Sequence, residues 1–242
     1  MTKVLLLAGT AEARALAVRL AQDPGLEVTA SLAGVTEDPK PLPVPTRTGG
    51  FGGVEGLTRW LDDQGIAAVV DATHPYAARM QANAVTACEM TGTPRLRLLR
   101  PAWPDRAGWI TAGDMQAAAD ACPTGAKVLL TTGHKGLNPF AERPDLSVSV
   151  RTIEPVADLP HGLNPILARP PYRADNERAL FALLGLTHLV TKNAGGSGTA
   201  KLDVAEELGI TTIMLDRPAP PPGPVAETVD RAVAWLHRVV AF

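Results

Sequence analysis

After a β-branched run that ends at Asp71, the chain continues Ala72-Thr73-His74-Pro75-Tyr76-Ala77, bringing a hydroxyl, an imidazole and a phenol to one turn. Such groups position a substrate or pass it a proton. Pro75 favours extended backbone at His74 and can open the next helix. For each of the three side chains a capping or packing role stands beside the chemical one. Other apolar runs also end in glycine and polar residues. The first is followed by Gly9-Thr10-Ala11-Glu12-Ala13-Arg14, where glycine lets backbone N–H groups and a helix N-terminus approach a phosphate. The Gly-x-Gly-x-x-Gly pattern is incomplete, with Ala11 and Arg14 at its later positions, so a tight turn without a ligand is an equal reading. The second run ends Thr29-Ala30-Ser31-Leu32-Ala33-Gly34, with none of the acid that NAD-binding turns place there. A small hydroxyl at Ser31 would tolerate a 2′-phosphate, so NADP fits better than NAD; the alternative is that no dinucleotide binds.

Thr48-Gly49-Gly50-Phe51-Gly52-Gly53 is too costly in ordering entropy to be there for strength. It is either a mobile surface loop or a backbone that closes on a ligand. In the second half, Thr132-Gly133-His134-Lys135-Gly136 and Lys192-Asn193-Ala194-Gly195-Gly196-Ser197-Gly198 repeat the habit. The second of these directs an ammonium and backbone donors at one spot, an anion-binding candidate, with a flexible linker as the alternative. Lys201 lies one turn further on, and Arg169 and Arg173 flank a proline pair before a helix. Signatures of serine hydrolases, phosphate loops and zinc proteases are absent, and no group of residues has metal-ligand spacing. Cys88 and Cys122 fit buried small hydrophobes, and His161, His188 and His237 fit structural or surface positions.

These turns need a scaffold. Short β-branched or Leu-rich runs at 4–7, 27–32, 67–71, 95–98, 127–131, 147–151, 188–191 and 211–215 read as strands. The more apolar of them lack strict alternation, as expected of strands buried on both faces of a parallel sheet. Helical patterns lie between them at 11–22, 54–64, 77–91, 114–121, 173–184 and 200–208. In a last helix, 225–240, apolar residues recur every three or four positions. The alternation predicts an α/β fold built from right-handed βαβ units, in which ligands meet the carboxyl ends of strands. Two prolines, Pro101 and Pro104, suggest a boundary between domains at 1–100 and 101–242. The proline-rich connector 217–224 could carry the last helix back to the first half.

A net charge of −2 offers no global field for nucleic acid, and no apolar stretch approaches the ~20 residues of a membrane span. Two cysteines suit a reducing cytoplasm, and no exposed apolar helix face stands out to demand an oligomer, so a monomer is expected.

Four segments together resemble the precorrin-6A reductase family of cobalamin synthesis: Leu7–Arg14, Asp71–Ala77, Leu130–Gly133 and Val190–Gly196. Arg169-Pro170-Pro171 and Leu215-Asp216-Arg217-Pro218 are similar too. Position 194 is Ala where many relatives carry Ser. The resemblance implies two Rossmann-like domains, each with a mainly parallel sheet flanked by helices, and NADPH-dependent reduction of one carbon–carbon double bond in a tetrapyrrole held between them. Mapped onto this sequence, cofactor contacts would come from Gly9, Thr10, Glu12, Ser31, Gly50, Phe51, Gly52, Thr73, Thr132 and Gly133. Carboxylate clamps or substrate contacts would come from Lys135, Arg169, Asn193, Gly195, Gly196 and Lys201. The candidate proton donors are His74, Tyr76 and Lys192, and no metal is required. The rival readings are a cobalt-containing macrocycle as substrate, or a nucleotide sensor without catalysis.

Overall fold

In a computed structural model of the chain, residues 1–34 and 41–240 are described. In chain order the elements are β1 (Thr2–Leu7), α1 (Ala11–Leu20), β2 (Leu26–Leu32), β3 (Thr46–Thr48), α2 (Gly53–Gln64), β4 (Ala68–Asp71), α3 (Ala78–Thr91) and β5 (Arg95–Leu98). They continue with β6 (Ile110–Ala112), α4 (Met115–Asp120), β7 (Lys127–Leu130), α5 (Asn138–Ala141), β8 (Ser147–Thr152), β9 (Leu163–Leu167), α6 (Ala174–Leu184), β10 (His188–Lys192), α7 (Ala200–Glu207) and β11 (Thr211–Leu215). The last two are β12 (Val225–Ala226) and α8 (Val229–Val240). They form two compact units, Met1–Pro101 with Pro218–Phe242, and Ala102–Arg217.

The first unit holds a parallel sheet in the order β12-β5-β4-β1-β2-β3. Its central strands are buried on both faces because successive side chains face opposite layers. Val4 and Leu6 of β1 pack with Leu16, Ala17 and Leu20 of α1 and with Ala232 and Leu236 of α8. Leu5 and Leu7 pack instead with Leu57 and Leu61 of α2 and with Ala84, Ala87 and Cys88 of α3. Burying a side chain of this size stabilises by ~1.5–3 kcal/mol, which is why these strands read as unbroken apolar runs. The order is the doubly wound 3-2-1-4-5-6 arrangement, with its switch point between β1 and β4.

The second unit has the order β6-β11-β10-β7-β8-β9, again wholly parallel. Leu129, Leu189 and Met214 pack with Phe181, Leu202 and Ala205 on one face, and Val128, Leu130, Val190 and Ile213 are buried as well. With β7 as its first strand the order is the same doubly wound one, except at the sixth place. There β6, which precedes β7 in the chain, occupies the second sheet, while β12, from the far end of the chain, occupies the first.

The α/β class and parallel sheets match the sequence expectation. Four strands were not foreseen: β3, β6, β9 and β12, each at a sheet edge. The last helix begins at Val229 rather than at 225. Val225 lies in β12, where Arg97 N–H donates to Pro224 O at 2.9 Å and Leu99 N–H to Ala226 O at 2.8 Å. Proline keeps the chain extended there, and Thr228 Oγ1 starts the helix by accepting from Arg231 N at 3.3 Å.

Candidate functional site

In the first unit, a cavity of about 520 Å³ opens at the carboxyl ends of β1, β2 and β4, within the size range of small-molecule sites. Its lining includes Ala8, Ser31, Gly49, Gly50, Phe51, Gly52, Gly53 and Thr73, with Arg79, Met80 and Asn83 from α3. Gly49, Gly52 and Gly53 have φ of 107°, 84° and 87°, and a β-carbon on any of them would meet nothing within 4 Å, so the loop presents bare backbone to open space. It leads into α2, whose first N–H groups receive no side-chain cap from Gly52. The first turn of α1 differs, because Thr10 Oγ1 accepts from Ala13 N at 3.1 Å and donates to Ala72 O at 2.9 Å. Gly9 and Thr10 adjoin the cavity without lining it, and the Glu12 carboxylate is committed to an ion pair with Arg100.

Arg47 on β3, which sequence reasoning passed over, braces three residues of the cavity lining. Its Nη1 donates to Ser31 Oγ at 2.8 Å and to Gly49 O at 3.1 Å, and its Nη2 donates to Gly50 O at 3.0 Å. Its guanidinium carbon lies 3.8 Å over the Phe51 ring, which itself meets Trp60 edge-on at 5.4 Å. Burial pulls the pKa of Arg47 down.

The carboxyl end of β4 is locked from below. Asp71 and Arg97 are buried and paired at 2.7 Å. Asp71 Oδ1 also accepts from Thr73 N at 3.1 Å and from Thr73 Oγ1 at 2.7 Å, and Arg97 Nη2 donates to Thr73 O at 3.0 Å. Burial lowers the Arg97 pKa, and the Asp71 charge opposes that shift. The next turn is tied to α3, where buried Gln81 Nε2 donates to His74 O at 3.0 Å and to Pro75 O at 3.1 Å. His74 Nδ1 accepts from Tyr76 N at 3.3 Å, which assigns the proton of the neutral ring to Nε2. The His74 and Tyr76 rings are 5.7 Å apart, both half-buried.

In the second unit the predicted residues gather at the carboxyl ends of β7 and β10, its switch point. Lys192 Nζ donates to Thr132 O at 2.6 Å, and Lys201 Nζ to Thr131 Oγ1 at 3.2 Å while lying 5.8 Å from the Trp103 ring. Burial lowers the pKa of Lys192, and Lys135 adds to the effect. Burial also carries Lys201 down to about 7; Arg151 lowers it further and Glu177 opposes. Gly195 and Gly196 have φ of 69° and 81°. Two predicted contacts are otherwise engaged. The Asn193 amide accepts from Trp103 N at 2.9 Å and donates to Trp103 O at 3.2 Å, so it fixes the chain entering this unit. Arg169 grips both oxygens of Glu154, at 2.7 and 2.8 Å. Thr132 and Gly133 stand at the end of β7 with the lysines; the cavity lined by Ser31 and Thr73 belongs to the first unit. Among the described residues no His, Cys, Asp or Glu cluster could hold a metal, and no helix is long and apolar enough to cross a membrane.

A doubly wound parallel sheet with a bare glycine loop at the carboxyl ends of its strands defines a Rossmann-like α/β protein, here joined to a second doubly wound sheet. The chain belongs to the precorrin-6x reductase CbiJ/CobK family, whose model matches residues 3–237. It is 45% identical to a precorrin-6A reductase of Rhodococcus erythropolis, the match covering 98% of each chain. It is 32% identical to a cobalt-precorrin-6A reductase of Priestia megaterium, over 96% of this chain and 97% of that one. A solved CobK precorrin-6A reductase superposes with a TM-score of 0.91 at 40% identity, over 100% of this chain and 98% of that one. The protein is therefore a member of an oxidoreductase family.

Proposed function

We propose that the protein reduces one carbon–carbon double bond of precorrin-6A to the dihydro product, using NADPH, in the cytoplasm and as a monomer. The observation that carries this reading is the glycine-lined cavity at the ends of β1, β2 and β4 in a chain of this family. The cavity suits a dinucleotide. Gly49, Gly52 and Gly53 leave room for close approach, the uncapped start of α2 offers N–H groups to phosphate, and among the described residues β2 ends in Ser31 and Leu32 with no carboxylate. The free, buried Cys88 and Cys122 suit a reducing compartment.

When bound, NADPH supplies the hydride; a proton then goes to the neighbouring carbon, so one C=C becomes CH–CH. The chain's own residues do the rest. Gly50 and Gly52 hold phosphate with backbone, and Ser31 stands at the adenosine ribose. Thr73, fixed by Asp71 and Arg97, forms a rigid wall. His74 Nε2–H, the Tyr76 hydroxyl and the Lys192 ammonium are the candidate proton donors. Lys135, Lys192 and Lys201 attract the carboxylates of the macrocycle; Arg169 could join them only by leaving Glu154.

Metal-free and cobalt-loaded substrate, each mixed with NADPH and followed near ~340 nm, test the reading. The expected result is single-turnover oxidation with the metal-free macrocycle, which the higher identity to the Rhodococcus enzyme favours. Nucleotide binding without turnover on either would refute it. Among His74→Ala, Tyr76→Phe and Lys192→Ala, the variant that removes an obligatory donor should lower kcat by ~10²–10⁴.

A further inference from the structure

We propose that Arg47 is the residue that selects NADPH over NADH by reading the 2′-phosphate of the adenosine ribose. This rests on the cofactor reading above and deepens it. In doubly wound sheets the end of the second strand meets that ribose, and NAD-binding proteins place a carboxylate there. Here the position belongs to Ser31, whose register partner across the parallel pair is Arg47. The guanidinium is already aimed. Ser31 Oγ, Gly49 O and Gly50 O take three of its N–H groups, and the Phe51 ring supports its flat face at 3.8 Å. Of the five donors a guanidinium carries, Nε–H and one Nη2 hydrogen bond nothing among the described residues.

No carboxylate pairs with Arg47 among the described residues, although burial works against its charge. A half-buried cation with spare donors, bonded to Ser31, Gly49 and Gly50 of the cavity lining, suits a phosphate monoester, which matches a guanidinium in both charge and fork geometry. The role is distinct from bracing the glycine loop. A brace would affect every nucleotide alike, whereas a phosphate reader affects only those with the 2′ group.

The test is the ratio of dissociation constants for NADPH and NADH, and for adenosine 2′,5′-bisphosphate and 5′-AMP, in wild type, Arg47→Gln and Arg47→Lys. Thermal melts check that each variant is folded. Wild type should favour the 2′-phosphorylated member of each pair, and Arg47→Gln should reduce that preference by roughly 10–100-fold. Arg47→Lys, which keeps charge but loses the fork and the stacking, should fall between. If wild type shows the preference and both variants keep it, Arg47 is only a brace and the proposal falls while the cofactor reading stands. If wild type binds neither nucleotide, the cofactor reading fails and takes the proposal with it. If Arg47→Gln does not fold, retention of the wild-type ratio in Arg47→Lys would by itself overturn the assignment.

Discussion

Gly56 lies inside α2, where glycine is normally a defect. Replacing an exposed mid-helix glycine by alanine should stabilise by up to ~1 kcal/mol through helix propensity alone. Here the sign reverses. A β-carbon on Gly56 would stand 2.8 Å from the Phe51 carbonyl carbon and overlap its oxygen, because that carbonyl, five residues earlier, lies against the first turn of the helix. Alanine can be accommodated only by pushing Phe51 back by on the order of 1 Å, at an overpacking cost of ~1–3 kcal/mol. That outweighs the propensity gain, so Gly56→Ala is expected to be net destabilising by up to ~2 kcal/mol. The larger effect is on binding. Phe51 supports Arg47 at 3.8 Å and leans on Trp60 at 5.4 Å, so its displacement moves the loop that lines the cavity. A misplacement of ~1 Å is worth about 10²-fold in a preorganised site, and NADPH affinity should fall by that order. Calorimetric melting and NADPH titration of the purified variant measure the two effects. A melting temperature that rises, together with NADPH affinity within twofold of wild type, would refute the reasoning.

Two other perturbations follow from buried charges. Lys201 has its folded pKa near 7, far below the unfolded value, so the unfolded chain holds more protons between ~7 and ~10.4 and stability should rise with pH across that window. The folded protein loses that positive charge as pH rises through about 7, so KM for a polycarboxylate substrate should increase through that pH in wild type and stay flat in Lys201→Arg, as steady-state profiles would reveal. Arg97→Met should cost ~3–5 kcal/mol in a denaturant titration by stranding buried Asp71, with part recovered in the Asp71→Asn double variant.

The interior of both sheets was legible because β1, β4, β7 and β11 are largely buried on both faces and appear as apolar runs, while β8 and β10 still carry valine or leucine among their polar residues. The edge strands were not. β3 is Thr46-Arg47-Thr48, β6 and β12 carry two and one exposed residues, and β9 contains Pro165 on an edge that tolerates it. Arg47 was missed for that reason: with no strand recognised at 46–48, nothing placed it beside Ser31. The turn after β4 and the lysines near the ends of β7 and β10 were visible as polar residues following strand-like runs, and the glycine loop by its composition alone. What their types could not reveal is prior commitment. Glu12 is held by Arg100, Asn193 by Trp103 and Arg169 by Glu154, all by partners distant in sequence.

The register of β12 against β5 carries a consequence for biosynthesis. Arg97 bonds Pro224, and Ala232 and Leu236 fill the layer beneath β1, so the core of the first unit stays unfinished while the intervening hundred or so residues are being translated. Nascent domains ordinarily mature in the order in which they are made. This one inverts the rule: the module between Ala102 and Arg217 has all its strands before its neighbour receives its closing piece. A ribosome stalled ahead of residue 218 would therefore carry a sheet with an open flank, an invitation to holdase chaperones or to edge-to-edge association.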